Sequence, residues 1–264
     1  MPSFKLITEA YRKDARMFNR GMAKMKIEHE ENMDGLTRDF LNRIAEGFID
    51  GKMTAAGLSR SLSAVNSILE AALPGLSDQT TETASNYVRS IVEASNAIFE
   101  RYGLDLPTET GKQVLGMPST IQSLNAIHES IRAAGFNTAD KLRDMLEGYY
   151  YSGEDFAAFE NKITSLFGEF RGLGYTVANT MVARTDREYR VRQAQGTGSD
   201  LMIYVGADDA VTRPWCSEHL NLIRSITYWT ETKNDTNPQP PLLFGGGWNC
   251  RHRLLPWKSS WKQS

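Results

Sequence analysis

GYTVANTMVARTDREYRVRQAQGTGSDLMIYVGA, residues 174–207, is the stretch in which the character of the chain changes. Up to Gly196 it has the apolar spacing of a long helix, and glycine is the commonest residue just beyond a helix end. Residues 200–207 (DLMIYVGA) form a short, mainly apolar run that is bounded by turn-type residues, and this pattern is typical of a strand. The stretch therefore predicts helices before Gly196 and a different architecture after it.

The first two-thirds of the chain has the pattern of a succession of helices. Residues 36–53 show it most clearly, because apolar side chains recur there every four residues and share one helix face. The pair Pro74-Gly75 predicts a helix end, since proline lacks the N–H group that a continuing helix needs. Ser77 is then the expected N-cap of the next helix.

Tryptophan and cysteine are concentrated in the last part of the chain. All five tryptophans and both cysteines follow residue 210. Residues 225–232 (SITYWTET) have the β-branched and aromatic content of a second strand. We expect the tryptophans to form a small core, although an exposed pair of Trp257 and Trp261 would instead indicate a binding anchor.

These patterns predict a mainly α fold, in which an elongated helical N-terminal body precedes a small C-terminal α+β module with the Cys/His residues. The predicted regions are 1–117 (helical N-terminal region), 118–196 (second helical region leading into the module) and 197–264 (C-terminal Cys/His module).

The overall composition is that of an ordinary globular protein. The 264 residues carry a formal net charge of −2, and 41% of them are hydrophobic. Charge alone therefore indicates neither a nucleic-acid-binding nor a membrane-binding protein. No apolar run approaches the roughly 20 residues of a membrane helix, and the charged N-terminus lacks the apolar core of a signal peptide. Two cysteines are too few for a disulfide framework, which favours a reducing cytoplasm.

Two short stretches near the C-terminus carry residues suited to bind a metal ion. Thiolate and imidazole are preferred protein ligands of zinc, and four of them complete a tetrahedral structural site. The stretches are TRPWCSEH (212–219) and GGGWNCRH (245–252), and the candidate zinc ligands are Cys216, His219, Cys250 and His252. Two other interpretations stay open: the cysteines could be buried as small apolar residues, or they could form a disulfide.

A catalytic interpretation has less support in the sequence. Cys216 beside a histidine could form a nucleophile–base pair, and Asp208 with Asp209 could form a carboxylate pair. Neither pair is accompanied by an oxyanion-hole motif or by a glycine-rich phosphate-binding motif. The chain is therefore not expected to be an enzyme, and a metal-dependent nuclease is the alternative.

Three elements in the last third of the chain carry a resemblance to a known family. They are ARTDREYRVRQAQ (183–195), ADDAVTRPWCSEH (207–219) and FGGGWNCRHRLLPW (244–257). Together they resemble the phage head morphogenesis family, the Mu protein F-like and SPP1 protein 7-like minor head proteins. The resemblance covers about residues 175–257. Asn221 stands where the family often has glycine, and because asparagine tolerates the left-handed conformation we expect the turn to persist.

The residues that match the family pattern fall into the same three elements. The matching residues are Arg184, Thr185 and Asp186 in the first element; Asp208, Asp209, Thr212, Arg213, Pro214, Cys216 and His219 in the second; and Gly247, Asn249, Cys250, Arg251 and His252 in the third.

The resemblance implies a minor head (capsid) protein of a tailed bacteriophage, associated with the portal vertex and acting in head morphogenesis, DNA packaging or genome ejection. It implies the portal protein and the major capsid or scaffolding protein as partners, with non-specific contact to packaged DNA as a further expectation. The protein would then be located in the virion head, after assembly in the host bacterial cytoplasm. The shared module establishes no enzymatic activity, and the alternative is a metal-dependent enzyme, a nuclease or an effector, carried by the phage particle. The resemblance also strengthens the zinc interpretation, because the shared positions are mostly those with ligand chemistry.

One arginine and one group of basic residues are further candidates for contacts. Arg184 is expected to be buried and to pair with Asp208 or Asp209, which would tie the last long helix to the loop. The N-terminal stretch 5–26 is rich in lysine and arginine and could face an acidic portal or capsid surface or DNA phosphates, although such a run is more often a solvated helix face.

Overall fold

A computed structural model gives the fold, and it describes residues 3–50, 52–154, 156–235 and 237–261, apart from the side chains of residues 68 and 69. The helices are α1 (Phe4–Ala45), α2 (Ala55–Arg101), α3 (Gly111–Leu115), α4 (Pro118–Ser152), α5 (Phe156–Gly196), α6 (Pro214–His219), α7 (Ile226–Glu231) and α8 (Pro241–Phe244). The strands are β1 (Phe48–Ile49), β2 (Lys52–Met53), β3 (Leu201–Val205), β4 (Ile223–Ser225) and β5 (Arg253–Trp257). The structure is 72% helical, which confirms the mainly α class with a small α+β C-terminal region. Among the described residues, none of the helices is both long and apolar enough to cross a membrane.

The helix end predicted at Pro74-Gly75 is wrong, because α2 continues through Pro74. A proline inside a helix costs about 3 kcal/mol, and burial of an apolar side chain returns about 1.5–3 kcal/mol. Leu73 and Leu76 flank the proline and are both buried, so the packing of this segment offsets the cost. Ser77 is therefore not an N-cap, and its hydroxyl donates to the carbonyl of His128 at 3.1 Å.

The strand predicted for residues 225–232 is also wrong beyond its first residue. Strand β4 ends at Ser225, and the chain continues as α7. The hydroxyl of Ser225 accepts a hydrogen bond from the Tyr228 amide at 3.1 Å and so caps this helix. One helical turn then carries Trp229 into the core, where its indole N–H donates to the Met202 carbonyl at 3.3 Å. Burial of this side chain outweighs the β propensity of the segment.

The chain divides into two compact units that are assembled from separate stretches of sequence. The first unit contains Met1–Met25, Thr83–Asn125 and Val177–Ser264, and the second contains Lys26–Glu82 and Ala126–Thr176. The sequence-based regions 1–117, 118–196 and 197–264 are instead consecutive. The candidate metal ligands and the residues that carry the family resemblance all lie in the first unit.

Strand β3, predicted at residues 200–207, is confirmed as the centre of an antiparallel sheet with the order β4-β3-β5. Both faces of β3 are buried. Met202 and Tyr204 face one apolar core, and Ile203 and Val205 face another. This alternation follows from the two-residue period of a strand, and it places Tyr204 in the core that also contains both cysteines.

The core on the opposite face of β3 contains residues from helix α1 and from the last described part of the chain. Tyr11 on α1 packs against Trp261, with ring centroids 6.4 Å apart, and its hydroxyl donates to the carbonyl of Pro256. Trp257 and Trp261 are both buried here, so this pair does not form an exposed anchor. The C-terminal module is thus completed by the first helix of the chain.

Candidate metal centre

Three of the four candidate ligands are brought together in the core beneath strand β3. The ligand atoms of Cys216, Cys250 and His252 all lie within 4.8 Å of one another. The two sulfur atoms are 4.0 Å apart, and the Cys250 sulfur is 3.8 Å from Nδ1 of His252. Neighbouring ligands of a tetrahedral zinc ion are separated by about 3.5–3.8 Å, given its usual bond lengths. These three buried side chains could therefore hold a metal ion.

His219 does not join this group. Its Nδ1 lies 2.7 Å from the carbonyl oxygen of Trp215, one helical turn earlier. Its ring also stacks on the Trp215 indole, with centroids 3.9 Å apart. The C-x-x-H spacing therefore places Cys216 in the core and His219 against the tryptophan beside it.

Cys216 is positioned by the short helix α6. Pro214 occupies the first position of this helix, where its fixed backbone angle is favourable and its missing N–H is not needed. The guanidinium of Arg213 donates to the carbonyl of Trp248 at 2.7 Å. Because Trp248 precedes Cys250 by two residues, this bond fixes the two cysteine loops against each other.

Cys250 follows a run of three glycines, and two of these glycines lie very close to the thiols. A side-chain carbon on Gly246 would lie 2.1 Å from the Cys216 sulfur, and one on Gly245 would lie 2.8 Å from the Cys250 sulfur. Both distances are too short for atoms that are not bonded to each other, so the backbone can approach the thiols only because no Cβ is present. The Gly246 amide donates to the Cys250 sulfur at 3.3 Å. Gly245 and Gly246 are therefore explained by close approach to the cysteines, whereas Gly247 has a positive φ of 114° that favours glycine.

His252 is held in the orientation that a metal ligand requires. Its Nε2 lies 2.8 Å from the carbonyl oxygen of Ala207. A carbonyl oxygen accepts a hydrogen bond only from a nitrogen that bears a proton. Nδ1 then keeps its lone pair and faces the cysteine sulfur. A second contact of this kind usually fixes the tautomer of a metal-binding histidine. Gly206 allows this approach, because a Cβ there would lie 2.2 Å from the His252 ring.

The two thiols share one hydrogen bond, and its polarity separates their pKa values. The hydrogen bond from Cys216 lowers the pKa of the Cys250 thiol, and the charge of Arg187 lowers it further against the effect of burial. The same hydrogen bond raises the pKa of Cys216, and burial adds to the increase. Both cysteines are free. Cys250 is thus the first of the two to provide a thiolate, the form of cysteine that binds metals.

Arg187 is a residue of this site that the sequence reasoning missed. It is fully buried on α5 and donates to the carbonyl oxygens of Leu243 at 2.9 Å and His252 at 2.6 Å. A third bond reaches the carbonyl of Cys250 at 3.3 Å. One guanidinium thus binds the backbone of the loop that carries two candidate ligands. The ARTDRE sequence contains both arginines, but the prediction of a buried arginine was made for Arg184.

The pairing predicted for Arg184 with Asp208 or Asp209 is wrong. Arg184 is only partly buried and pairs with Glu188 on its own helix, Nε to Oε1 3.0 Å. Asp209 instead accepts both arms of Arg251, at 2.7 and 3.0 Å. The Arg251 guanidinium and the Thr212 hydroxyl hold the pKa of the Asp209 carboxyl well below its usual value. Asp208 accepts from the Ser217 hydroxyl at 3.0 Å.

Asp186 and Asn249, two other residues of the family pattern, also have structural contacts. Asp186 is buried and accepts from Nε of Arg253 at 2.8 Å, and Arg253 also pairs with Asp14 on α1. Burial raises the pKa of Asp186, and the charges of Arg253 and Arg190 lower it by more, so its net shift is downward. The backbone of Asn249 has a positive φ of 59°, and its amide donates to the Thr180 hydroxyl at 3.0 Å.

The turn that depends on Asn221 is also formed, since this residue has a φ of 62°. Its amide donates to the carbonyl of Tyr204 at 2.7 Å. The left-handed conformation expected of asparagine at this position is confirmed.

Comparison of the chain with protein-family models found no match. Comparison with curated proteins and with solved structures found no match either.

Proposed function

We propose that this protein is a minor head protein of a tailed bacteriophage, acting at the portal vertex in head morphogenesis, DNA packaging or genome ejection. The observation that carries the proposal is the convergence of the three family-like elements in one unit. The helix element contributes Ala194, and the two loops contribute Cys216 and Cys250, to one apolar core. Elements that are separated in sequence but share one packed core form a structural module, and such a module is what the resemblance implies.

The contacts of the matching residues support a structural role. Asp209 is engaged by Arg251, Asp208 by Ser217, and Arg213 by a main-chain carbonyl. The bonds of Asp209 and Arg213 join the two loops to each other, the bond of Asp208 lies within one loop, and all three charged groups are committed to partners. The thiols are closed off in the core, whereas a catalytic metal keeps a position open for its substrate. These contacts favour the head-protein function over the nuclease or effector alternative.

We further propose that Cys216, Cys250 and His252 hold zinc as a structural cross-link. The tautomer of His252, the separation of the sulfur atoms and the burial of all three side chains support this choice of metal. Zinc would supply binding free energy to a module whose own sheet is small.

Helix α1 offers a surface for the proposed partners. Arg12, Arg16 and Arg20 are exposed and recur every four residues, so they share one face of the helix. A row of arginines is suited to carboxylates on an acidic protein surface and to DNA phosphates. We propose the portal protein as its first partner, the major capsid or scaffolding protein as another, and packaged DNA as a non-specific contact.

The direct test is quantitative mass spectrometry of purified proheads and of DNA-filled particles of the phage that encodes this chain. The expected result is a low copy number, comparable with the portal protein and far below the major capsid protein. Absence from both kinds of particle would overturn the proposal. A nuclease assay on the purified protein separates the alternative, because metal-dependent DNA cleavage that is lost in Cys250→Ser with the fold intact would identify an enzyme.

A further inference from the structure

A fourth donor atom stands beside the Cys216, Cys250 and His252 group. The phenol oxygen of Tyr204 lies 3.3 Å from the Cys216 sulfur and 3.4 Å from the Cys250 sulfur. Its ring stacks on His252, with centroids 5.3 Å apart and planes 14° from parallel. Tyr204 thus contacts all three candidate ligands.

These distances match the edges of a coordination tetrahedron. With usual zinc–sulfur and zinc–oxygen bond lengths, an oxygen ligand lies about 3.5 Å from each sulfur ligand. The phenol oxygen meets that distance to both sulfurs at once. If Tyr204 only packed against one thiol, its phenol oxygen would not be expected to lie at nearly equal distances from both sulfur atoms.

Strand β3 fixes the phenol in this place. Tyr204 is fully buried, and its backbone amide and carbonyl are both paired, to Leu222 and Asn221. Its ring is also stacked on Trp229, with centroids 5.6 Å apart. The hydroxyl is therefore presented to the thiols by a rigid core strand, as a structural metal site requires.

The charge of the surroundings fits an anionic oxygen ligand. A divalent ion with two thiolates, a neutral imidazole and a phenolate carries one net negative charge. The guanidinium of Arg187 lies next to this group, because its Nη2 bonds the carbonyl oxygens of Cys250 and His252. Without the phenolate the loaded site would be neutral, so the phenolate gives the site a negative charge beside the guanidinium of Arg187.

We propose that Tyr204 completes a closed four-coordinate site for a divalent metal of the zinc class, in the position that His219 leaves vacant. Binding of the metal forms the metal–oxygen bond, and the phenol and both thiols give their protons to solvent. The proposal rests on metal binding by the three buried ligands and is independent of any role in a phage head. With Tyr204 as the fourth ligand, the metal has no open coordination position of the kind that a catalytic metal needs.

The test uses the full-length protein loaded with Co²⁺, whose visible absorption reports its ligands and their number. The probe for an open coordination position is azide. In the wild-type protein we expect the intense bands of a four-coordinate site, unchanged by azide. In Tyr204→Phe, which keeps the ring packing, the bands should change and azide should change them again. Zn²⁺ affinity, measured by competition with a chromophoric chelator, should fall at least about tenfold. His219→Asn is the matched control and should leave spectrum and affinity unchanged.

Three results would overturn the proposal. The first is a shift of the wild-type spectrum on addition of azide, because it would show a vacant coordination position whether or not Tyr204→Phe folds. A Tyr204→Phe spectrum identical to that of the wild type would limit the phenol to hydrogen bonding. Failure of the wild-type protein to bind Zn²⁺ or Co²⁺ at all would overturn the metal site together with its fourth ligand, whereas the first two results overturn the fourth ligand alone.

Discussion

Arg187 donates a 2.6 Å hydrogen bond to the main-chain oxygen of His252, and so a helix side chain holds the backbone at the candidate metal centre. The same guanidinium reaches the carbonyl of Leu243. Both carbonyls belong to the segment that turns through the glycine run and presents Cys250. The position of the ligands is thus set from a long helix and not only by their own loop.

Replacing Arg187 by methionine should destabilise the first unit by about 3 kcal/mol or more, because several buried carbonyl oxygens lose their donor. The free energy of unfolding in urea, followed by tryptophan fluorescence, measures this loss. Arg192→Met on the same helix is the control, since Arg192 is exposed and its loss should change stability by less than about 0.5 kcal/mol. Equal stability of the two variants would contradict the role of Arg187.

Replacing Gly246 by alanine should damage the site although only a methyl group is added. The new carbon would lie 2.1 Å from the Cys216 sulfur, and overpacking of this kind costs about 1–3 kcal/mol. Gly21→Ala in the same unit is the matched control. Its nearest neighbour would be Tyr87 at an ordinary 3.6 Å, so the change should stabilise helix α1 by about 0.5–1 kcal/mol. Thermal unfolding distinguishes the two signs, and a Gly246→Ala protein with wild-type Tm would show that the loop can move away.

Removal of metal should lower the Tm of the wild-type protein but leave that of Cys250→Ser unchanged. A free metal concentration about a thousand times Kd stabilises the folded state by about 4 kcal/mol, which corresponds to roughly 10 °C for a chain of this size. Differential scanning calorimetry with and without a strong chelator gives both shifts. An equal response of wild type and variant would mean that Cys250 binds no metal.

The second unit should lose stability as the pH falls below about 6.5, the ordinary pKa of histidine. Burial lowers the pKa of His29, whose Nε2 lies 3.2 Å from the carbonyl of Arg171. The unfolded chain therefore binds a proton at a pH at which the folded chain does not, so acid favours unfolding until the folded pKa is passed. His29→Gln should remove this part of the pH dependence. Urea unfolding between pH 8 and 5 tests it, and identical slopes for wild type and variant would contradict it.

The fold class and strand β3 could be predicted from the sequence because local patterns determine them. The continuation of α2 through Pro74 could not, since it depends on packing around Leu73 and Leu76 that no local rule contains. The same limit applied to residues 225–232, where burial of Trp229 selected a helical turn.

The residue types of the site could be predicted from the sequence, but which individual residues belong to it could be predicted only in part. Cys216, Cys250 and His252 were identified because few residue types bind zinc, and the structure brings them together. His219 was included because spacing shows that two side chains are near in sequence but not where each one points. Arg184 and Arg187 are separated by less than one helical turn, and only the tertiary structure decides which of them faces the loop.

The pairing of Asp14 with Arg253, 239 residues apart, has a consequence for the synthesis of the protein. A ribosome adds about 5–20 residues per second, so helix α1 emerges roughly 10–50 s before the strand that completes its core. During that interval Tyr11 and its apolar neighbours lack the surface that buries them in the finished protein. The first unit therefore closes only after strand β5 has been synthesised, and until then helix α1 is available to chaperones.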